Sequence, residues 1–339
     1  MNFQKLTPVD QQKALLDLAF RKAREKGQQK KFVGNWLQKI RYKENLKLDI
    51  VKDTIITRLQ KVLAEFPNTL DLPDFYVELI RLTIDFRELK KSFGALDWAI
   101  KQLGVVHRVH IQKVNEEKEG SKVKEVTKQY YGRIASILKQ INPQLKYLED
   151  SRRIMRTYPD IKPMFSLCLY GFPNVGKTTI LNKLTGTKAK VAAYSFTTKS
   201  INAGYMKIND VKIQVLDVPG TLARKEKFND VELQAELVLK KVADVVIYIF
   251  DLSGASGYSI KKQEQLLQNL GKKKKVFPFV NKQDITDEAI LKEFKIKHYT
   301  LEEIKEELEK EVKEEPKGNS KEEFEEPKEA AGENLDPSF

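Results

Sequence analysis

"GFPNVGKTT", residues 171–179, decides how this chain is read. It matches G-x-x-x-x-G-K-[ST] through Gly171, Gly176, Lys177 and Thr178. Each residue type has a chemical reason to be there. Glycines let the backbone curl so that successive N–H groups converge on phosphate oxygens, with Pro173, Asn174 and Val175 completing the loop. Lys177 is placed to neutralise β and γ oxygens, and Thr178 offers a hydroxyl to Mg²⁺. Thr179 continues into a helix whose positive end faces the anion. The flanks agree: "MFSLCLYG" (164–171) reads as a buried strand entering the loop, and "KTTILNKLTG" (177–186) as the helix leaving it. A chance match in a chain of this length is on the order of 1%, so an ordinary strand-to-helix turn is a poor alternative.

Two motifs downstream name the base. "DVPG" (217–220) ends a predicted strand. Asp217 can hold Mg²⁺ through water, and the Gly220 N–H can meet a γ-phosphate. "NKQD" (281–284) ends another. A carboxylate at Asp284 accepts two hydrogen bonds from guanine, from N1–H and from the exocyclic amine. Adenine lacks that pair of donors, so GTP and GDP are preferred over ATP. The stem of Lys282 would cover the base plane, and Asn281 would tie this loop to the phosphate turn. Between the motifs, "YSFTTKSINAGY" (194–205) reads as a loop. There Thr197 or Thr198 could bind Mg²⁺ and sense the γ-phosphate, Thr198 being the preferred of the two. Lys177, Thr198 and Gly220 are the candidates for direct work on the reacting phosphate.

The wider chain has 339 residues, enough for about two domains. From Pro163 onward, "VKIQVLDVPG", "ADVVIYIFDLS" and "KVFPFVNKQD" add strands, and "DVELQAELVLKKV" and "SIKKQEQLLQNLG" add helices. That alternation implies an α/β domain with a mostly parallel sheet covered on both faces, over 163–315. Residues 1–162 read instead as an all-α helical bundle. In "NLKLDIVKDTIITRLQKVLAEFP" (45–67), which reads as a helix from Asn45, Leu48, Val51, Ile55, Leu59, Val62 and Leu63 recur every three or four positions, and the helix stops before Pro67. The stretch 72–114 predicts two helical segments broken near Gly94 or Gly104, and 126–159 a long helix or a pair bent at Pro143. Residues 316–339 read as an acidic, disordered tail.

Charge is unevenly spread. The net is +13, with 33 Lys+Arg against 20 Asp+Glu in residues 1–162 and 6 against 15 in residues 300–339. A basic body with an acidic tail points to a polyanionic partner, and RNA is the commonest soluble one. No run of 18 apolar residues exists to span a membrane, and Asp and Gln stand where an export signal would be apolar, so a cytoplasmic protein is expected. The single cysteine, Cys168, excludes an intrachain disulfide and reads as a small core residue. His107 and His110 lack a companion ligand at metal spacing and read as helix-surface residues.

The motifs together, with "VELQAE", "DLSGASGYSIKKQEQLLQNL", "FPNTLDLPDFYVELI" and "YYGRIASILKQINPQLKYLEDSRRIMRTYP", resemble the nucleolar GTP-binding protein 1 family, in the Obg group of P-loop GTPases. The resemblance covers residues 1 to about 285 and looks like a short, archaeal-type member. It implies a slow GTPase that assembles the large ribosomal subunit, docking as a monomer on the subunit, its precursor or their rRNA. Grip on phosphates would come from Arg21, Lys22, Arg24, Lys30, Lys31, Arg152, Arg153 and Arg156. Thr221 follows "DVPG", where Ras-like enzymes carry a water-orienting Gln, so a partner is expected to complete the site. In related GTPases an Asn at the place of Asn174 can ligate potassium, which makes K⁺ a candidate cofactor here. His298 to Thr300 would be a degenerate guanine-clamping segment. The alternative is a signalling GTPase whose helical domain binds a protein, with "PDFYVEL" (73–79) as the candidate interface, although core packing is the preferred reading of that stretch.

Overall fold

Why the first half is helical is visible in which residues are buried. In the computed structural model, residues 3–29, 32–68, 70–186, 192–196, 199–218, 230–270 and 274–314 are described. Five helices come first: α1 (Gln12–Gln29), α2 (Trp36–Glu65), α3 (Asp74–Thr83), α4 (Phe86–Glu116) and α5 (Gly120–Met155). Leu48, Val51, Ile55, Leu59 and Val62 of α2 are all buried, as the spacing requires. They meet a core to which α4 adds Leu96, Ala99 and Leu103, and α5 adds Tyr130, Ile134, Leu138 and Leu145.

Two expectations about the helices change, and an open alternative resolves to one long helix. α2 begins nine residues before Asn45, because Asn35 and Gln38 form a reciprocal cap: Gln38 N–H donates to Asn35 Oδ1 at 2.8 Å, and Asn35 N–H to Gln38 Oε1 at 2.9 Å. The stretch 72–114 breaks at neither Gly94 nor Gly104. It breaks at Ile84, which is extended, and Asp85 then caps α4 by accepting from Arg87 N and Glu88 N. α5 runs unbroken through Pro143, at the cost of the intrahelical donor to the carbonyl of exposed Lys139.

Among the side chains, one preferred reading holds and one expectation changes. "PDFYVEL" is core rather than interface: Phe75, Tyr76 and Leu79 are buried. The Tyr76 hydroxyl donates to Pro159 O at 2.8 Å and accepts from Ile161 N at 2.9 Å, which fixes the passage out of the bundle. His110 is buried, its ring tilted against Tyr130 and its Nδ1 2.7 Å from Val106 O, while His107 Nε2 lies 2.7 Å from Asp49 Oδ1.

The second half is a six-stranded sheet in the order β2-β3-β4-β1-β5-β6. The strands are β1 (Ser166–Tyr170), β2 (Ala192–Phe196), β3 (Lys199–Ile208), β4 (Val211–Asp217), β5 (Val245–Asp251) and β6 (Lys275–Asn281). β4, β1, β5 and β6 are parallel; β3 runs antiparallel to β4, and β2 to β3. Every residue of β1 and β5 is buried, and since successive side chains alternate faces, both faces of the sheet are covered there. Cys168, mid-way along β1, has zero exposure. Burial pushes its thiol up. The stretch 194–205, expected as a loop, lies in β2 and β3 except for residues 197–198, which are outside the described residues; the alternation that buries Ile201 and Ala203 is a strand pattern.

Helices α6 (Lys177–Thr185), α7 (Asp230–Lys241), α8 (Ile260–Asn269), α9 (Glu288–Glu293) and α10 (Leu301–Glu314) complete the domain, α9 being unforeseen. α6 packs on β1, β3 and β4, and α8 on β5. α7 lies against α3 of the bundle, where Lys241 Nζ is 3.4 Å from Asp74 Oδ2. α10 buries Ile304, Leu308 and Val312. Pro278 sits in edge strand β6 with its carbonyl turned outward to Tyr299 N at 2.9 Å, so the N–H it lacks is one the β5 ladder does not use. Residues 316–339 lie outside the described residues.

Candidate functional site

The loop after β1 is shaped by residues that tolerate unusual backbone. Gly171 has φ +150°, and a Cβ there would lie 2.7 Å from Ile249 O. Gly176 has φ +97°, and a Cβ there would collide with Asn281 Nδ2. Asn174, at φ +62°, is exposed at the tip, between half-buried Pro173 and buried Val175. α6 starts directly afterwards at Lys177, with Thr178 and Thr179 exposed in its first turn. The loop leads straight into the N-terminus of α6, the end of a helix that suits an anion. The buried Lys177 ammonium donates to Gly171 O at 3.1 Å and Phe172 O at 2.8 Å.

Beside this loop, Thr178 Oγ1 donates to Asp217 Oδ2 at 2.5 Å. Asp217 ends β4 and is buried; Asn202, paired with it across β3, donates from Nδ2 to the same oxygen at 3.3 Å. A hydroxyl and a carboxylate converging beside an anion cradle are the oxygen donors a hard divalent cation takes. Thr197, Thr198, Gly220 and Thr221 lie outside the described residues.

The end of β6 closes the site from the other side. Asn281 Nδ2 donates to Val175 O at 2.9 Å, so the tie inferred from the sequence is made by a side-chain amide. Lys282, at φ +56°, crosses to the loop and donates from Nζ to Asn174 O at 2.8 Å. The same ammonium meets Asp251 Oδ2 at 2.8 Å. Asp284 follows in a short 3-10 turn, two residues after Lys282, and is exposed.

Asp251 is a residue that sequence reasoning passed over. It has zero exposure, and both carboxylate oxygens are used: Ser253 donates from N (3.0 Å) and Oγ (2.5 Å) to Oδ1, and Lys282 to Oδ2. Burial pushes its carboxyl up, but the Lys282 ammonium and the Ser253 donors outweigh that and hold it below the usual carboxylate range. Gln263 of α8 brackets the same residue, accepting from Asp251 N at 2.9 Å and donating to Asp251 O at 2.8 Å. The signal was the "DLSG" turn at the end of β5, which showed a polar residue after a fully apolar run but not what it bonds.

Comparison with known proteins agrees with this geometry. A family model described as the NOG1 N-terminal helical domain matches residues 3–162, and one described as a 50S ribosome-binding GTPase matches residues 166–282. An uncharacterised protein of Methanocaldococcus jannaschii is 35% identical over 263 residues, which cover 76% of this chain and 73% of that one. Nucleolar GTP-binding protein 1 of Drosophila melanogaster is 29% identical over 79% of this chain. The chain belongs to the nucleolar GTP-binding protein 1 family. It spans 42% of the Drosophila relative and 38% of the Saccharomyces cerevisiae one. Among solved structures, the G domain of the Thermotoga maritima FeoB iron transporter is 28% identical, with a TM-score of 0.31 over 38% of this chain and 81% of that one.

A member of this family thus carries a GTPase domain behind its helical domain, the two matches meeting between residues 162 and 166. Its basic clusters are not equivalent. Arg21, Lys22 and Arg24 are exposed along α1, and Arg153 and Arg156 at the end of α5. Arg152 is not available to a partner: it is 5% exposed and donates twice to Glu149, at 2.8 Å each. Lys30 and Lys31 lie outside the described residues.

Proposed function

We propose that this protein is a GTP-binding and GTP-hydrolysing switch that acts in assembly of the large ribosomal subunit, docking as a monomer on the subunit, its precursor or their rRNA. The family supports the class, since its relatives are named for GTP binding and the matching model for ribosome binding. The observation that carries the nucleotide reading is the double tie from Asn281 to Val175 and from Lys282 to Asn174. It joins the phosphate loop to the segment that carries Asp284, which in this reading accepts from the guanine base.

In this reading the amides of Gly171 to Thr179 cradle the β-phosphate, and Lys177 moves from the carbonyls of Gly171 and Phe172 to the β and γ oxygens. Thr178, Asp217 and Thr198 would hold Mg²⁺, which when bound neutralises charge on the β and γ oxygens. Gly220 N–H would meet the γ-phosphate. Asn174 is the proposed potassium ligand; equal hydrolysis in KCl and NaCl would remove it. With Thr221 in the usual Gln position, intrinsic turnover is slow and a partner accelerates it. The docking grip comes from the exposed arginines and lysines of α1 and the end of α5. Among the described residues no helix is long and apolar enough to cross a membrane, and the cytoplasm is the proposed location.

The test is the base specificity of Asp284→Asn. An amide there offers a donor to the xanthine 2-oxo group and clashes with the guanine amine. The variant is expected to lose about 100-fold in GDP affinity, roughly two to three kcal/mol, and to bind XDP instead. Unchanged preference for GDP, measured by fluorescence titration, would sink the assignment. Co-sedimentation with large subunits in the presence of a non-hydrolysable GTP analogue tests the ribosomal half.

A further inference from the structure

Lys207 and Lys212 stand directly opposite each other across the hairpin of β3 and β4. Like charges in that position repel and destabilise the pair. Among the described residues neither ammonium has a carboxylate partner; Lys212 Nζ lies 4.6 Å above the Tyr205 ring instead. The two open on a cleft of about 640 Å³ that Lys183 from α6 and Lys305 from α10 also line. Four lysines from four elements thus converge, with Glu309 the single acid among the described lining residues. Folding explains part of this. The carbonyls at the C-terminal end of α6 favour Lys183. The Tyr205 ring favours Lys212, but among the described residues nothing favours Lys207 opposite it. Such local conflict in an otherwise consistent sequence marks a place selected for something besides stability.

We propose that this cleft binds the phosphate backbone of RNA, giving the GTPase domain a docking surface of its own. The proposal rests on the reading of the protein as an rRNA-docking factor. Phosphates passing between Lys207 and Lys212 would turn their repulsion into two contacts, with Lys212 still seated over the half-buried Tyr205 ring. A protein partner would want an apolar centre, and of the apolar residues among the described lining Leu184 and Ile208 are buried, which leaves half-buried Tyr205 and Met206 to supply one. The cleft is also apart from the nucleotide. β4 leads from Lys212 to Asp217, five residues on, so about 17 Å of strand separates the two sites.

The experiment uses the full chain with a non-hydrolysable GTP analogue and deproteinised large-subunit rRNA. Affinity is measured across a series of KCl concentrations for wild type and for the quadruple variant Lys183→Gln, Lys207→Gln, Lys212→Gln, Lys305→Gln. The slope of log affinity against log salt should become shallower by about 3, and affinity near 150 mM should fall at least about tenfold. GTP affinity should hold, and the melting temperature should hold or rise because the opposed pair is gone. The fourfold Lys→Arg variant should bind as wild type does. Wild type that binds with a steep slope, and a Gln variant that matches it, overturn the cleft and leave the docking reading intact. Loss on whole subunits but not on naked rRNA assigns the cleft to an acidic protein and overturns the RNA proposal. Wild type with no rRNA affinity overturns the docking reading and this proposal with it.

Discussion

Asp251 shows how much a single side chain organises here. Its carboxylate, sealed from water, fixes Lys282, and Lys282 in turn holds Asn174. Asp251→Asn keeps the shape and removes the charge, so the Lys282 ammonium loses a charge-assisted hydrogen bond of about 2 kcal/mol. GDP release should quicken by about tenfold while the far-ultraviolet signal stays native; stopped-flow with a fluorescent GDP reads it, and an unchanged release rate refutes the positioning role. Residues at this scale were legible where chemistry leaves little choice. Gly171 and Gly176 were, because their φ angles and close neighbours admit no side chain. Asp251 was not. A strand-end aspartate looks the same whether it faces water or a lysine 31 residues away.

Elements were legible where apolar spacing is long, as in α2, and illegible where local breakers lose to tertiary packing. Gly94 and Gly104 predict a break in α4, yet Leu96, Ala99 and Leu103 bury one continuous stripe and hold the helix through both. Each glycine still weakens the helix by about 0.5–1 kcal/mol relative to alanine. A Cβ at either would meet nothing within 4 Å. Gly94→Ala with Gly104→Ala should therefore stabilise the protein by about 1–2 kcal/mol in urea unfolding. A loss of stability would mean that a break at these positions matters. The β2–β3 hairpin was hidden for another reason. A serine- and threonine-rich stretch reads as a loop until pairing with β4 shows which alternate residues are covered.

At the scale of the molecule, the division into a helical half and an α/β half was legible from periodicity, while charge marked both halves as basic and set apart only the acidic tail. How the halves are fastened was not, because Tyr76, Pro159 and Ile161 come together only in three dimensions. A second fastening sits inside the bundle. Glu149 accepts from Arg152, Val9 N and Arg153. The Arg152 bonds, working against burial and aided by Val9 and Arg153, hold its carboxyl down at about 2, below its ordinary 4.5. This contribution to stability is complete above pH 4.5 and is lost as the pH falls toward 2. Glu149→Gln should cost about 3 kcal/mol at neutral pH, because Arg152 is left buried without a counter-charge. The gap between variant and wild type should narrow through pH 4 to 3 in denaturant titrations; a gap constant with pH would refute it.

The thiol in the middle of the sheet makes the protein a reporter of its own breathing. Cys168 is the chain's one cysteine and is flanked by Leu216 and Val246 on the neighbouring strands. A sulfhydryl reagent can reach it only when those strands part, so the labelling rate clocks the opening of the domain centre, and bound nucleotide should slow that clock. By the same token, a cysteine introduced anywhere on the surface would take up a dye without competition from the native one.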